Sequence, residues 1–501
     1  MASTFMGLSI ASRGLSASQT GLATTTTNMS NMSTTGYSRQ VLNQTSVGPA
    51  AVYSSSLVGA GAEVISVDRV RSDRLDQKYW QENSGSSKWN AKSTYLSQLE
   101  TIFGTTDSST ISTALNTFTT DLGTLSTDPT DTAVRATVLE DAKNFCSTLN
   151  DTSTQLTQLR SDINNEVKTT VEQINSYTTQ IADLNQKIGV AKASGAAANE
   201  LEDQQGVLVD KLSGLIGIST TKSDDGIIAI TVNGSTLVSG NKAKQLECYT
   251  VTDTTSAQYG MYGIRDAATG RDFASGDSGA LNGYIQVRDG STSDNKGIPY
   301  YSSQLDQFAQ TLAKAFNEGI TVDTTSYSGN ADGVGLNDTT DIRFFSYDNL
   351  SSADLMASGT DTDSIYKNIK AGNITVSKDI QEDSSKIATS STVGEDSNNT
   401  NITDLISIIT DTNIFGNSTA TGFYSSIIAT VGTASSYAKT EYSRKDAITS
   451  YIDTSRSSVS AVSSDEETVN LTKYQQAYAA SASVATKWSE IYETTINMVN
   501  V

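Results

Sequence analysis

The sequence predicts a mainly α-helical, nested multidomain protein with paired N- and C-terminal coiled-coil helices, a long helical rod body, and an inserted small outer β domain. Apolar residues recur at helical spacing near both ends of the chain and over most of its interior. Only three prolines, Pro49, Pro129 and Pro299, occur in the 501 residues, so long helices are permitted almost everywhere. One internal stretch, 217–287, instead shows alternating and glycine-rich patterns that indicate strands.

The first predicted helix lies near the N-terminus and carries a heptad-like seam. Large apolar residues recur every seventh position, and a second residue, small in most repeats, follows each of them three positions later. The large positions are Leu8, Leu15, Leu22 and Met29, and the second positions are Ala11, Ser18, Thr25 and Met32. Serine and threonine are weak helix formers, so we expect this helix to need a partner. Gly36 is the predicted helix stop, because glycine adopts the left-handed conformation after a helix without steric cost.

The last residues of the chain, 457–501, carry a matching pattern and contain neither proline nor glycine. The predicted seam consists of Leu471, Tyr474, Tyr478, Ser481, Ala485, Trp488, Tyr492, Thr495 and Val499, beside a second apolar track of Val484, Ile491 and Met498. Residues 1–45 carry Arg13 and Arg39 as their only charges, whereas 457–501 sum to −3. We therefore predict that 1–45 and 457–501 pair as a terminal axial coiled-coil domain.

The predicted body comprises 46–216 and 288–456. Helical spacing runs from Ile111 to Leu125 and then from Val134 to Ile188, and a continuous second helix of about 55 residues would be roughly 80 Å long. A shorter helix is predicted around Leu208, and helical patterns return after residue 300 and again near residues 404 and 423. Residues 321–400 are predicted to be loops with short elements.

The inserted β domain is predicted for 217–287. The segment GIIAITVNGSTLVSG alternates apolar and polar residues around Asn233-Gly234, a strong signal for a type I′ hairpin. Binding of a sugar or a cell surface by this domain stays open at this point.

The composition argues against several functional classes. The chain contains no histidine, which removes the commonest general base and metal ligand. A net charge of −21 argues against binding nucleic-acid phosphates or anionic lipid. We therefore expect no enzyme, no metal and no cofactor, and neither nucleic acid nor membrane as a partner. Cys146 and Cys248 are predicted to be packing residues.

Targeting signals are also missing from the sequence pattern. The N-terminal residues have no basic segment followed by a continuous apolar run, so we expect no cleaved signal peptide. No apolar run approaches the roughly 20 residues that span a bilayer. A cytoplasmic protein and a protein exported without a cleaved signal both fit these observations.

Both ends of the chain resemble the bacterial flagellar axial proteins. Their N-terminal signature is a leucine-spaced helix followed by Asn-x-x-Asn-x-x-Thr-x-Gly-Tyr, and the C-terminal box SDEETVNLTKYQQAYA, 464–479, resembles theirs too. The signature falls on Asn28, Asn31, Thr34, Gly36 and Tyr37. The continuation GYSRQ, 36–40, is similar to members at the hook–filament junction. Met29, Ser30, Met32 and Ser33 depart from the alanine-containing pairs more usual in relatives.

The resemblance implies a structural subunit of the flagellum that forms the junction between hook and filament. It implies self-assembly as a ring of copies, contact with the hook protein and with a second junction protein on the filament side, and a cytoplasmic export chaperone at the C-terminal helix. It also implies an extracellular location reached through the flagellar export channel. A hook or rod subunit, or an adhesive module on a flagellar scaffold, is the alternative.

The predicted subunit interface combines both ends of the chain. Tyr37 and Arg39 are expected to face a neighbouring copy, with intramolecular contacts as the alternative. The predicted interface residues are Leu8, Leu15, Leu22, Met29, Asn31, Met32, Gly36, Tyr37, Arg39, Gln40, Leu471, Tyr474, Tyr478, Ala485, Trp488 and Tyr492.

Overall fold

A computed structural model describes residues 6–53, 56–104, 110–322, 324–411 and 413–499. Its helices are α1 (Met6–Ser30), α2 (Asp73–Phe103), α3 (Thr110–Thr127), α4 (Thr132–Ala193), α5 (Asn199–Leu215), α6 (Ala280–Asp289), α7 (Ile298–Glu318), α8 (Ser352–Ala357), α9 (Thr362–Tyr366), α10 (Lys378–Glu382), α11 (Thr400–Thr410), α12 (Ala420–Ser460) and α13 (Ser464–Val499). The mainly helical fold with an inserted β region is confirmed.

The strands form small antiparallel sheets. They are β1 (Gln40–Ser46), β2 (Pro49–Tyr53), β3 (Ser56–Gly59), β4 (Ala62–Arg69), β5 (Ser219–Lys222), β6 (Ile228–Val232), β7 (Ser235–Ser239), β8 (Lys242–Ala243), β9 (Leu246–Thr250), β10 (Tyr262–Asp266), β11 (Ile320–Val322), β12 (Thr325–Tyr327), β13 (Phe345–Tyr347) and β14 (Ile374–Val376). Strands β5 to β8 form one sheet in sequence order, and β1–β4, β2–β3, β9–β10, β11–β12 and β13–β14 pair separately. The predicted hairpin is confirmed, since Asn233 (φ 45°) and Gly234 (φ 79°) join β6 to β7.

The long helix α4 is the backbone of the body. It contains 62 residues, which at 1.5 Å per residue is about 90 Å. The Asp131 carboxylate caps its start by accepting hydrogen bonds from the amides of Ala133 (2.8 Å) and Val134 (3.2 Å). Beyond its end at Ala193, Gly195 turns the chain with φ 77°. The prediction of one long helix from Val134 to Ile188 is therefore confirmed.

Two hydrophobic cores lie one after the other along α4. Positions 138–163 pack with α3, α7, α11, the end of α2, the first part of α12 and the short elements between 320 and 415. Positions 167–182 pack with α5 and with apolar residues of β6, β7, β9 and β10. The sheets formed by β5–β8 and by β9–β10 thus share a core with α4.

The β region packs on one half of α4, and its outer position in an assembly of copies stays a prediction. Arg135, at the start of α4, donates to the carbonyl of Ile387 (2.7 Å), which places the 320–415 elements at that end. The β sheets pack on the other half, towards α5. Residues 280–287, predicted as part of the β domain, belong to α6, which packs on α2 at Ala91. Core packing that depends on distant segments decided this placement, and local patterns do not report it.

The N-terminal strands were not predicted. Residues 46–69 were assigned to the helical body, but β1 and β4 pair from Gln40–Arg69 to Ser46–Ala62. Polar residues such as Asn43, Gln44 and Thr45 interrupt the apolar alternation on β1, so the period-two signal is weak there.

Candidate assembly interface at the terminal helices

Helices α1 and α13 pack against each other, as their seams predicted, and the contacts described below show that they run antiparallel. Three glycines of α1 at seven-residue spacing meet three α13 residues at the same spacing. A Cβ atom added at Gly7 would lie 2.1 Å from the Trp488 ring, at Gly14 2.7 Å from Ser481 Oγ, and at Gly21 2.6 Å from the Tyr474 ring. Side chains at these positions would hold the helices apart, so the glycines permit the close approach.

The buried face of α1 is therefore the small-residue side of the predicted seam. Ala11, Ser18 and Thr25 are buried, whereas Leu8, Leu15 and Leu22 are only half-buried. The signal that sequence reasoning missed was the glycine that precedes each of these three leucines. Glycines repeated every seven residues indicate a helix face that a large aromatic residue can approach closely.

The predicted α13 residues divide between the seam and the surface. Leu471, Tyr474, Ala485, Trp488 and Tyr492 are half-buried. By contrast, Tyr478 (42% exposed), Met29 (38%) and Met32 (50%) lie outside the intramolecular seam. Their contact with a neighbouring copy stays a prediction.

A second face of α13 is apolar and uncovered in the single chain. Val484, Ile491 and Met498 repeat every seven residues, and their exposed fractions are 47%, 50% and 74%. We call these three residues the α13 track. The track was recognised in the sequence, and the antiparallel pairing with α1 leaves it facing solvent.

The buried side chain of Asn28, near the end of α1, holds the following segment in place through hydrogen bonds to Tyr37 and Gln40. Its side-chain oxygen accepts hydrogen bonds from the Tyr37 hydroxyl (2.8 Å) and the Gln40 amide (2.9 Å), and its side-chain nitrogen donates to the Gln40 carbonyl (2.9 Å). Burial, together with the carboxylates of Asp203, Glu200 and Glu467, raises the pKa of Tyr37 to about 12. Tyr37 therefore stays a neutral hydrogen-bond donor at physiological pH.

The predicted helix stop at Gly36 was wrong in position. Helix α1 ends at Ser30, and a series of turns covers 31–36 before the chain reaches Gly36 with φ 81°. Within these turns Asn31 donates to the Thr27 carbonyl (3.1 Å). The left-handed conformation at Gly36 is confirmed. A Cβ there would also lie 2.1 Å from Val207 of α5. Close packing is therefore a second reason why this position requires glycine.

The next residues bind the terminal helices to α5. Asp203 accepts hydrogen bonds from the Ser38 amide (3.0 Å) and hydroxyl (2.7 Å), and Arg69 Nη1 donates to it at 2.7 Å. Glu202 is an ion-pair partner of Arg69 and of Lys192 (2.7 Å). The pKa of Glu202 is lowered because hydrogen bonding and these cations outweigh the effect of burial. A carboxylate pair therefore connects the turn after α1 to the body.

A second set of ion pairs joins α2, α5 and the end of α12. Arg456 Nε lies 2.8 Å from Asp76 Oδ1, and Arg456 Nη2 lies 2.9 Å from Asp210 Oδ2. Arg71 also binds Asp76 (2.7 Å), and Trp80 Nε1 donates to Asp210 (2.5 Å). Buried ion pairs of this kind are costly to break, because removing one partner leaves an uncompensated charge. This cluster holds the last turns of α12 against α2 and α5.

The connection from α12 to α13 differs slightly from the predicted boundary at 457. Helix α12 continues to Ser460, three residues follow, and α13 begins at Ser464. Across this break Arg39 forms an ion pair with Glu466, and its amide donates to the Ser460 carbonyl (2.8 Å). In the single chain, Tyr37 and Arg39 thus have intramolecular partners, which was the alternative to contact with a neighbouring copy. Their contact with another copy stays a prediction.

Two open grooves flank the turn at 31–37. One, of about 560 Å³, lies between the turn, α4 and α5, and includes Lys187 and Glu200. The other, of about 460 Å³, lies between the turn, the start of α2 and the end of α12, and includes Tyr79 and Lys211. The turn is thus accessible from two sides, as a contact between copies requires.

Other kinds of site were sought over the described ranges. Within them, no group of three or more histidine, cysteine, aspartate or glutamate side chains is arranged to hold a metal ion. None of the described helices has the length and apolarity needed to cross a membrane. Cys146 is buried in the first core, Cys248 lies half-buried beside the second, and both thiols are free. Burial raises the pKa of both thiols, which suits packing residues.

The paired terminal helices join the long helical body through the hydrogen-bonded segment 28–40, which we call the hinge, and this architecture is that of an elongated structural subunit. Residues 96–345 match the family model described as the flagellar hook-associated protein FlgK helical domain. The chain is 30% identical to flagellar hook-associated protein 1 of Bacillus subtilis (strain 168), over 100% of this chain and 99% of that protein. The chain therefore belongs to the flagellar hook-associated protein 1 family.

Other relatives agree with this assignment. The chain is 25% identical to flagellar hook-associated protein 1 of Salmonella typhimurium, over 97% of this chain and 99% of that protein. The solved structure of the flagellar hook junction protein FlgK from Burkholderia pseudomallei is similar with a TM-score of 0.58 at 18% identity, covering 78% of this chain and 100% of that one. The structural likeness supports the fold.

Proposed function

We propose that this chain is the subunit that joins hook to filament, and that copies of it assemble into a ring through the terminal helices. The chain is a structural subunit of the bacterial flagellum, as its family shows. The observation that carries the ring is the α13 track, an apolar face that the pairing with α1 leaves uncovered. Exposed apolar surface of this regularity marks a protein–protein contact.

The free energy available from this face is substantial. Fully burying a side chain the size of valine, isoleucine or methionine stabilises a complex by about 1.5–3 kcal/mol. The track places three such residues on each copy, and a ring repeats the contact at every subunit. On the α1 side the seam consists of glycine, alanine, serine and threonine, and the Tyr474 and Trp488 rings that pack on it stay only half-buried, so the pair gains less from burial than a seam of large apolar residues on both helices. Neighbours therefore supply much of the stability of the terminal helices, so their folding is coupled to assembly.

Arg13 supports the same proposal. It is the only charged residue of α1, and its Nη1 atom is buried with no hydrogen-bond partner among the described residues. A buried guanidinium nitrogen without an acceptor is unfavourable. The exposed Glu493 of α13 has no ion pair within the described part of the chain. Assembly that turns the Arg13 side chain towards an adjacent copy lets an exposed carboxylate such as Glu493 supply the missing acceptor.

The remaining partners follow from the family and from the exposed helix. We expect the hook protein on one side of the ring and a second junction protein on the filament side. Before assembly the apolar α13 track is exposed to water, and a cytoplasmic export chaperone bound at α13 shields it. The protein is then expected to leave through the flagellar export channel without signal cleavage. No catalytic activity is expected of it.

The test uses a strain lacking the gene, complemented with full-length variants. Replacing the track by Val484→Gln, Ile491→Gln and Met498→Gln keeps good helix formers and removes the apolar face. We expect cells with hooks but without filaments, and flagellin lost to the medium. Thr486→Gln with Thr494→Gln, at exposed positions off the track, is the matched control and should restore filaments.

Two outcomes contradict the proposal. Normal filaments with the track variant would show that the apolar face is not needed for assembly. Hookless cells in the strain lacking the gene would instead indicate a hook or rod subunit. An immunoblot of cell and medium fractions confirms that each variant is made and exported.

A further inference from the structure

A separate groove lies on the body, between α2, α12 and the loop before α7. It has a volume of about 510 Å³, and its floor includes Leu96, Ala429 and Ala434. Two aromatic rings form one wall, Trp89 of α2 and Tyr437 of α12, packed edge to face with centroids 5.4 Å apart. Tyr437 is 58% exposed. We call this the body groove; none of its lining residues belongs to the terminal helices.

Lys92 and Lys296 line the body groove, and Lys88 lies beside it. Lys92 Nζ lies 5.0 Å and Lys88 Nζ 5.9 Å from the centroid of the Trp89 ring, and Lys296 lies in the lining. Among the described residues none of the three forms an ion pair; Lys88 Nζ donates to the Asp277 carbonyl (2.9 Å) and Lys92 Nζ to Gln286 Oε1 (3.1 Å), both uncharged acceptors, although the chain carries a net charge of −21. The lining contains a single carboxylate, that of Asp294. Burial and the neighbouring Lys88 lower the pKa of Lys92 to about 8, as expected where cations lack a counter-ion.

A complementary feature occurs elsewhere on the same chain, in the exposed turn 393–396. Val393 is 61% exposed, and Glu395 and Asp396 beside it are exposed as well. The turn is held in shape, because the Gly394 amide donates to Asp338 (2.7 Å) and Gly394 has φ 81°. An apolar side chain followed by two carboxylates on a rigid turn suits a groove with aromatic walls and lysines, because a preformed shape loses little entropy on binding.

We propose that the turn 393–396 of one copy docks into the body groove of a second copy. Val393 then lies against Trp89 and Tyr437, and the two carboxylates face Lys92 and Lys296. The groove and the turn are different patches of the same chain, so the contact is heterologous, and heterologous contacts close into rings when the rotation between copies allows. The inference rests on the proposed ring and assigns it a second, outer contact. Charge complementarity of this kind fixes register and orientation between subunits.

Charge reversal with rescue tests the contact in the full-length protein. One variant reverses the groove (Lys92→Glu with Lys296→Glu), and another reverses the turn (Glu395→Lys with Asp396→Lys). We expect each to reduce the number of filaments per cell at least ten-fold in the complemented strain. Combining all four changes should restore at least half of the filaments, because the charges are again opposite. Lys242→Glu with Lys367→Glu, at exposed positions elsewhere, is the matched control and should assemble normally.

A direct readout comes from zero-length carbodiimide cross-linking of isolated flagella, followed by mass spectrometry. We expect cross-linked peptides that join Lys92 or Lys296 to Glu395 or Asp396. Normal assembly of both reversed variants, or failure of the combined variant when circular dichroism shows it to be folded, overturns the docking. If the groove variants assemble while the α13 track variant does not, the docking is wrong and the proposed function stands. If the track variant assembles as well, the proposed function itself fails.

Discussion

At the scale of single residues, side chains that satisfy backbone groups determine the geometry of the hinge. Asn28 shows this, because one buried amide side chain serves the Tyr37 hydroxyl and both backbone groups of Gln40. The sequence placed Asn28 in a family signature, but only the structure shows which atoms it binds. The partners lie nine and twelve residues away, beyond the reach of helical or strand periodicity.

Removing the Asn28 side chain should loosen the hinge. The substitution Asn28→Ala leaves three polar groups without their partner, and each buried unsatisfied group costs about 1–3 kcal/mol unless water enters. We expect the free energy of local opening for 28–40 to fall by about 2–4 kcal/mol in hydrogen exchange. Tyr37→Phe removes a single hydrogen bond and should cost about 1 kcal/mol. Equal effects of the two substitutions would contradict the central role of Asn28.

A carboxyl pair between α3 and α4 should make stability depend on pH. Burial, and then the hydrogen bond and charge of Asp121, raise the pKa of Asp141 from its ordinary 3.8 to about 6. The folded state therefore prefers protonated Asp141. Its contribution to stability is fully present below pH 4 and is lost as the pH rises through 6.

The substitution Asp141→Asn tests this dependence. We expect it to raise the free energy of opening of α3 and α4 by about 1 kcal/mol at pH 8, a value reduced for solvent screening. At pH 4 the gain should disappear. The exposed Asp151→Asn on the same helix is the control, and hydrogen exchange at the two pH values measures both. A gain that does not change with pH would contradict the raised pKa of Asp141.

At the scale of elements, the heptad spacing in α1 correctly predicted a paired helix. It did not identify which face of that helix contacts α13. The spacing of Leu8, Leu15 and Leu22 predicted a helix with a partner, and α13 is that partner. The residues in closest contact are the glycines one position earlier. Hydrophobicity patterns give weight to large residues, so they do not detect a contact face formed by glycines.

The close approach makes a sharp prediction for Gly21. Alanine there puts a methyl group 2.6 Å from the Tyr474 ring, and overpacking of this kind typically costs about 1–3 kcal/mol. We expect Gly21→Ala to lower the free energy of opening of α1 by that amount in hydrogen exchange, although alanine favours helix. Gly123→Ala in α3, where a Cβ meets open space, should instead stabilise its helix by about 0.5–1 kcal/mol. Stabilisation of α1 by Gly21→Ala would refute the tight seam.

At the scale of the whole molecule, α4 organises the body by carrying both cores. Its apolar positions read as one continuous stripe in the sequence, yet 138–163 and 167–182 pack against different sets of elements. The β region lies on the half nearer α5, and the elements between 320 and 415 lie at the start of the helix. Ion pairs of Arg456 with Asp76 and Asp210 then join the ends of α12, α2 and α5 near the terminal helices.

The sequence by itself determined most of the long helices, though not α2 or α6, together with the hairpin at Asn233-Gly234, the pairing of the chain ends and the family. These depend on spacing within a segment, which periodicity reports directly. Only the tertiary structure decided that glycines form the seam, that the turn after α1 is fixed by Asn28 and Asp203, and that the β region shares a core with α4. Each of these depends on side chains far apart in the chain, whose meeting is set by packing of the whole and leaves no local pattern.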